Sequence, residues 1–352
     1  MSLTELRISN FRNIQTAQIA LHPKLNIIEG LNGSGKTSFL EALYLLATGH
    51  SFRAREHQTL IHFEAAALTL FAQNTGGDRI SLQKDNTGHT LAKINQEACL
   101  TRSQLAHLTP CQVFYQDIFA IIDAGPQVRR HMLDWGVFHV EHTYVTLWRD
   151  YRRTLKQRNA LLKQQPTKTQ LKPWNHALSE LAHDIDKARV NFCNMWDEAW
   201  QEALSALGAV HCHMEYQRGW DKKNEYASLE ACLDANYARD CARQFTHYGA
   251  HHADLVITHD KRKAQAYLSR GQQKMLLFAL KFAQAQLSNK HCMYLIDDMA
   301  AELDTYYLEK LVHYIESLPG QCFITKRPEP LAAFAQFQDY QLLTLEDGNF
   351  VN

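Results

Sequence analysis

No stretch of this sequence approaches the roughly 20 consecutive apolar residues needed to cross a bilayer. The opening Met1-Ser2-Leu3-Thr4-Glu5 lacks the pattern of a secretory leader. A cytoplasmic protein with no membrane partner is the expectation. Charge of one sign is missing as well: 37 Lys and Arg balance 37 Asp and Glu. No global basic field therefore draws the chain to nucleic acid, and any such contact must come from local clusters. The eight cysteines form no CxxC pair and read as free, partly buried thiols in a reducing compartment. His211-Cys212-His213 has no carboxylate or cysteine partner at ligand spacing, so no metal is expected there. There is no internal repeat and no long low-complexity linker. With 352 residues and 45% hydrophobic content, the chain is long enough for about two domains with a substantial core.

What is present gathers in a few short segments. Gly30-Leu31-Asn32-Gly33-Ser34-Gly35-Lys36-Thr37 fills all four fixed positions of the P-loop pattern and follows an apolar run, Leu25 to Ile28, that reads as a buried strand. Glycines let the backbone turn its N–H groups around phosphate oxygens, and a helix starting near Lys36 points its positive end at them. Lys36 then reaches the terminal phosphates and the Thr37 hydroxyl reaches Mg²⁺. ATP or GTP binding is expected. A second apolar run, His291 to Ile296, ends in Asp297-Asp298. It reads as a Walker B strand that delivers Asp297 to the Mg²⁺ shell and Asp298 to the attacking water.

Between these motifs lies Leu268-Ser269-Arg270-Gly271-Gln272-Gln273-Lys274, followed by an apolar helical stretch from Met275 to Ala285. Ser269 with Gln272 three residues on is a capping box. The same four residues, Ser269, Arg270, Gly271 and Gln272, are similar to the ABC signature LSxGQ. In that superfamily the signature of one subunit completes the nucleotide site of another, which implies a dimer. Gln116, after Val113-Phe114-Tyr115, is a candidate Q-loop glutamine. Ala301-Glu302-Leu303-Asp304 is like a D-loop, and Thr325 ends an apolar strand, Gln321 to Thr325, where the superfamily places its switch residue.

Lys36 and Asp297 bracket most of the chain. A transporter ATPase keeps its Walker motifs in one compact domain, so here the intervening segment reads as an insertion, as in SMC-like proteins. The chain resembles the RecF family specifically. The resemblance rests on Asn10-Phe11-Arg12-Asn13, the P-loop continued through Ala42 to Ser51-Phe52-Arg53, Arg129-Arg130 with Leu133-Asp134, Tyr151 through Leu155 to Leu162, and the signature and Walker B segments. It covers nearly the whole chain. The family usually reads Gly-Pro-His-Arg-Asp-Asp where Gly249 to Asp254 stand here, with His252 in place of arginine, and has serine at Ala301 and proline at Gln116.

The resemblance implies an α/β fold: an ABC-type P-loop ATPase head with a mixed sheet and an inserted helical domain forming a short arm. It implies ATP and Mg²⁺, slow DNA-stimulated hydrolysis coupled to homodimerisation, and clamping of double-stranded DNA at gaps and ds/ss junctions. RecR and RecO are the implied partners, in recombinational repair, replication and the SOS response. The alternatives are another SMC-like DNA-binding ATPase or, further off, a transporter ATPase subunit.

The expected division is 1–120 for the first part of the head with Walker A, 121–230 for the helical arm, and 231–352 for the second part with signature, Walker B and D-loop. Strands Leu3–Ile8, Leu68–Gln73, Arg79–Gln83 and Thr90–Ile94 form an antiparallel layer, and strands at Leu25, Met293 and Cys322 a parallel core. A hairpin closes at Asp347-Gly348. In the middle, Leu178, Leu181, Ile185, Ala188, Phe192, Met195 and Ala199 step by three and four like a heptad seam. Leu147 to Leu162 is a second helix, Pro166 and Pro173 interrupt the connection, and helices of about 20 to 30 residues reach roughly 30 to 45 Å. Basic residues cluster at Arg129-Arg130 and at Arg149, Arg152, Arg153, Lys156 and Arg158. Of these, Arg129, Arg130, Arg152 and Arg153 are the candidate DNA-phosphate contacts, with no base-reading motif in view.

Overall fold

The computed structural model describes every residue except 1, 55, 100, 224, 289, 290, 331 and 352. Its contacts sort into two units, one made of residues 1–118, 205–209 and 288–352 and the other of residues 119–204 and 210–287. Near-alternate burial makes strands of β1 (Leu3–Phe11) and β2 (Ile14–Ala20), whereas β3 (Leu25–Glu29) is apolar on both faces and feeds the P-loop. Helix α1 (Lys36–Thr48) follows. Next come β4 (Ala67–Asn74), β5 (Arg79–Asp85), β6 (Thr90–Ile94) and β7 (Glu97–Ala98), which extend the first pair into an antiparallel sheet of order β2-β1-β4-β5-β6-β7. All four strands expected for this layer are present. β2 carries no clear strand pattern in the sequence, because its buried Ile14, Ala17 and Ile19 break strict alternation. β8 (Cys111–Phe114) opens the second sheet.

The second unit begins with α2 (Pro126–Val140), α3 (Tyr144–Leu162) and α4 (Lys168–Ala206). At 39 residues α4 spans about 58 Å, longer than expected. Pro173 lies inside it, as its sixth residue, and does not end it. The seam is also displaced from the apolar reading. Leu178, Ile185 and Phe192 are buried as expected, but the alternate positions are Asn175, Ala182, Arg189 and Trp196, while Met195 is 40% exposed. Two polar residues sit inside the stripe, and a purely apolar count passes over them. Trp196 and Trp200 donate their indole N–H groups to Leu280 O and Leu276 O, 2.9 and 3.4 Å away, on the almost wholly buried α5 (Arg270–Gln286). Between α4 and α5, β9 (His213–Gln217), β10 (Asp254–His259) and β11 (Arg262–Lys263) make a small antiparallel sheet.

The chain then returns to the first unit with β12 (Cys292–Ile296), α6 (Thr305–Ser317), β13 (Gly320–Lys326), β14 (Gln341–Glu346) and β15 (Asn349–Val351). Sheet order is β15-β14-β3-β13-β12-β8, with only β15 antiparallel, across the expected Asp347-Gly348 turn. Phe39, Leu40, Leu43 and Leu46 of α1 share one core with Leu6 and Leu70 of the first sheet and Leu295 and Phe323 of the second. Each such buried side chain contributes about 1.5–3 kcal/mol. The P-loop helix is thus held on both sides.

These boundaries differ from the expected three-way division. Residues 231–287 cluster with the helices rather than with Walker B. The β9–β10 pairing, the two indole bonds to α5 and an Arg129–Asp254 ion pair account for that.

Candidate nucleotide-binding site

Backbone conformation builds the P-loop. Gly33 and Gly35 have φ of +86° and +112°, left-handed values that favour glycine. Gly30 is needed for space, since a Cβ there would lie 2.4 Å from Leu345 O and 2.5 Å from Ser34 Oγ. Ser34 Oγ is buried and has no hydrogen-bond partner among the described residues. A buried hydroxyl of that kind costs free energy unless a ligand meets it. The first turn of α1 carries no acidic residue of its own. Lys36 Nζ donates to Gly30 O at 2.6 Å and Leu31 O at 2.8 Å. Burial pulls the pKa of Lys36 below the usual lysine range, while Asp297 and Asp298 push it back up. The loop, its helix and its lysine fit a bound polyphosphate.

The parallel sheet brings the other carboxylates to the same edge. β12 lies between β13 and β8, with Ile296 level with Ile324 and Phe114, so each strand ends beside the next. Thr37 Oγ1 donates to both carboxylate oxygens of Asp297, at 3.1 and 2.9 Å. Thr325 Oγ1 donates to Asp297 Oδ1 at 2.7 Å and accepts the backbone N–H of Asp298 at 2.8 Å. One threonine therefore orients the Asp297 carboxylate and fixes the backbone of Asp298. Asp298 is exposed and has φ +46°, a left-handed turn that costs an L residue roughly 1–2 kcal/mol. Gln116, also exposed, stands two residues beyond Phe114, whose carbonyl accepts the Asp297 N–H at 2.8 Å. Ala301 to Asp304 lead into α6, which Asp304 caps by accepting from Tyr307 N. The hydroxyl and carboxylate oxygens of Thr37 and Asp297 are hard donors of the kind Mg²⁺ takes.

Ser269, Arg270, Gly271 and Gln272 lie in the second unit, at the start of α5. The capping box is present: Ser269 Oγ accepts from Gln272 N at 3.3 Å, and Gln272 Oε1 accepts from Ser269 N at 2.9 Å. Ser269 and Arg270 are exposed. The Arg270 guanidinium pairs with Asp123 at 2.9 Å and stacks 4.6 Å from the Phe119 ring centroid.

The basic residues separate into two kinds. Arg129 is bidentate to Asp254, Nε–Oδ1 2.8 Å and Nη2–Oδ2 3.1 Å, and Nη1 donates to the carbonyls of Ile121 and Ala124. Arg130 donates to Ala253 O at 2.7 Å, and burial lowers its pKa. Arg158 is fully buried, bonded to Asn175, Asp240 and Thr246. The expectation that Arg129 and Arg130 contact DNA phosphates is corrected on that ground, since Arg129 holds Asp254 and two carbonyls and Arg130 holds the Ala253 carbonyl, and Arg158 leaves its cluster because it is fully buried. Arg152 and Arg153 are exposed on α3, Arg153 in a surface pair with Asp150. With Arg149 and Lys156, also exposed, they form a stripe at i, i+3, i+4 and i+7.

Two residues that no local sequence pattern marks for the P-loop also contact it. Asn13, between β1 and β2, donates to Gly33 O and Ser34 O. Gly348, read only as part of a hairpin turn, donates its N–H to Ser34 O.

The RecF/RecN/SMC N-terminal domain model matches residues 2–339. The DNA replication and repair protein RecF of Cellvibrio japonicus (strain Ueda107) is 37% identical over 338 residues, covering 92% of this chain and 91% of that protein. RecF of Escherichia coli (strain K12 / DH10B) is 37% identical over 360 residues and covers both chains completely. Among solved structures, the recombination mediator protein RecF with ATP, in the RecFOR pathway, superposes with a TM-score of 0.86 at 22% identity, over 99% of this chain and 97% of that one. An SMC head bound to the C-terminal winged-helix domain of ScpA gives 0.62 at 16% identity, over 99% and 96%. The α/β architecture with its mixed sheets is therefore that of RecF and SMC ATPase heads. By full-length sequence identity and family match, this chain belongs to the RecF family within the RecF/RecN/SMC group.

Proposed function

We propose that this chain is a Mg²⁺-dependent ATPase that dimerises on ATP and clamps double-stranded DNA at gaps and ds/ss junctions. The convergence of Thr37 and Thr325 on Asp297, beside Lys36 and Asp298, carries the reading. Gly30 to Thr37 cradle the phosphates, Lys36 neutralises them, and Thr37 and Asp297 hold Mg²⁺, which supplies charge neutralisation on the phosphates. Gln116 and Thr325 orient groups at the sheet edge. Asp298 takes the proton of the attacking water, whose oxygen bonds the γ-phosphorus as the bond to the β-phosphate oxygen breaks. Ser269, Arg270, Gly271 and Gln272 act on the nucleotide of a second copy, so hydrolysis is slow until DNA stabilises the dimer.

The exposed stripe of Arg149, Arg152, Arg153 and Lys156 supplies backbone contacts without base preference. RecF relatives at 37% identity are DNA replication and repair proteins, and the structural neighbour works in the RecFOR pathway. RecR and RecO are accordingly the proposed partners, in cytoplasmic repair, replication and the SOS response. Sedimentation with ATP, ADP or no nucleotide, with and without duplex DNA, tests the reading. Wild type is expected to dimerise with ATP alone and Lys36→Ala to stay monomeric. Dimerisation of Lys36→Ala at wild-type ATP concentrations would overturn it.

A further inference from the structure

We propose that Asn13 and Gly348 are positioning residues that set the peptide planes of the P-loop for phosphate; the inference rests on the nucleotide-binding reading above. A loop that turns its N–H groups toward an anion turns the carbonyls of the same peptides outward, and each of those needs a donor. Ser34 O receives two, the Gly348 N–H at 2.9 Å and Asn13 Nδ2 at 3.2 Å, and Gly33 O receives Asn13 Nδ2 at 3.4 Å. The two donors come from opposite ends of the sequence and from two different turns.

Both turns are constrained. Asn13 follows Arg12, whose φ of +54° bends the β1–β2 connection and whose guanidinium is bidentate to the fully buried Glu41 of α1, at 2.9 and 3.0 Å. The P-loop helix thereby anchors the turn that reaches back to the P-loop. Asp347 and Gly348 have φ of +44° and +83°, the two left-handed positions of a type I′ hairpin. The fit leaves no spare room: a Cβ on Gly348 would lie 2.0 Å from Asn13 O, and one on Gly35 2.9 Å from Asn13 Nδ2. Asn13, Gly35 and Gly348 interlock around the Ser34 peptide. With both donors in place, the Ser34 carbonyl stays outward and the N–H groups that follow it face the nucleotide.

Isothermal titration of the full chain with MgATP and MgADP tests this, alongside thermal unfolding without nucleotide. Asn13→Ala should raise Kd about five- to tenfold for both nucleotides, the effect of losing one or two modest hydrogen bonds, and leave kcat at saturating ATP near wild type. Asn13→Asp keeps the side chain's shape but loses the donor and places a negative charge beside the loop, so it should raise Kd further; it carries the test by itself if Asn13→Ala does not fold. A merely structural role would lower the unfolding midpoint and leave the Kd of folded protein unchanged, and that result overturns the proposal. Absence of ATP binding by wild type would instead overturn the nucleotide reading.

Discussion

Arg129 reads in the sequence as a DNA contact and in the structure as a tie-rod, and its removal separates the two. Its side chain is 13% exposed and that of Asp254 17%. The pair is bidentate, with two further carbonyls on the same guanidinium. Arg129→Ala leaves the Asp254 carboxylate largely buried without its counter-charge and orphans the Ile121 and Ala124 carbonyls, at a cost of about 3 kcal/mol. All six tryptophans, residues 135, 148, 174, 196, 200 and 220, fall in the second unit, so intrinsic fluorescence reports on the unit that holds the pair. With a urea dependence of about 2–3 kcal/mol per molar, the fluorescence midpoint should drop by roughly 1 to 1.5 M. The slope of log affinity for duplex DNA against log salt should not change. Replacing Arg149, Arg152, Arg153 and Lys156 together by alanine should do the reverse, flattening the slope by up to about 3.6 units, about 0.9 for each phosphate contact, with little effect on the midpoint. Asp254→Asn supplies a control, because an arginine poised for DNA would bind it more tightly once released. An Arg129→Ala protein that keeps its urea midpoint and loses about one unit of slope would refute the assignment.

Asp298→Asn should still bind ATP while turnover drops and the DNA-bound dimer persists, read by single-turnover hydrolysis and gel shift; unchanged turnover would remove Asp298 as the base. Ser269→Arg mixed with Lys36→Met should recover roughly a quarter of wild-type hydrolysis, since about half of random dimers are mixed and each has one working site. Full DNA-stimulated hydrolysis by Ser269→Arg alone would exclude action on a partner's nucleotide. His251 is held neutral to about 3 by burial, with His252, Arg130 and Arg158 adding repulsion. Its neutral ring accepts from Tyr151 OH through Nδ1 and donates to Thr246 O through Nε2. The unfolded chain takes up that proton near 6.5, so stability should fall as pH drops from 6.5 toward 3, by at most about 1.4 kcal/mol per unit. Urea midpoints measured from pH 6.5 to 4.5 should show a shallower decline for His251→Gln, and an identical decline would clear His251 of the effect.

Local chemistry was legible from the sequence alone. The P-loop glycines, the Walker B strand, the Ser269–Gln272 capping box and the Asp347-Gly348 hairpin each depend on backbone conformation within a few residues, and such constraints leave a fixed spacing of letters. Family membership was legible for the same reason, as an ordered series of local patterns. Where a charged side chain points was not. Arg129 finds Asp254 across 125 positions and Arg158 finds Asp240 across 82, and a buried arginine is spelled the same way as a solvated one. The α4 seam shifted for a related reason: Asn175 and Arg189 count as surface residues until partners on other elements, such as Asp134 for Arg189, are in place. Likewise, only the closed sheets bring Asn13 and Gly348 onto the carbonyls of the P-loop. The sequence by itself determined where the glycine turns and strand ends of the candidate site fall; the tertiary structure decided which side chains are tied up within the fold, because long-range ion pairs and outward carbonyls take up donors that no local pattern assigns.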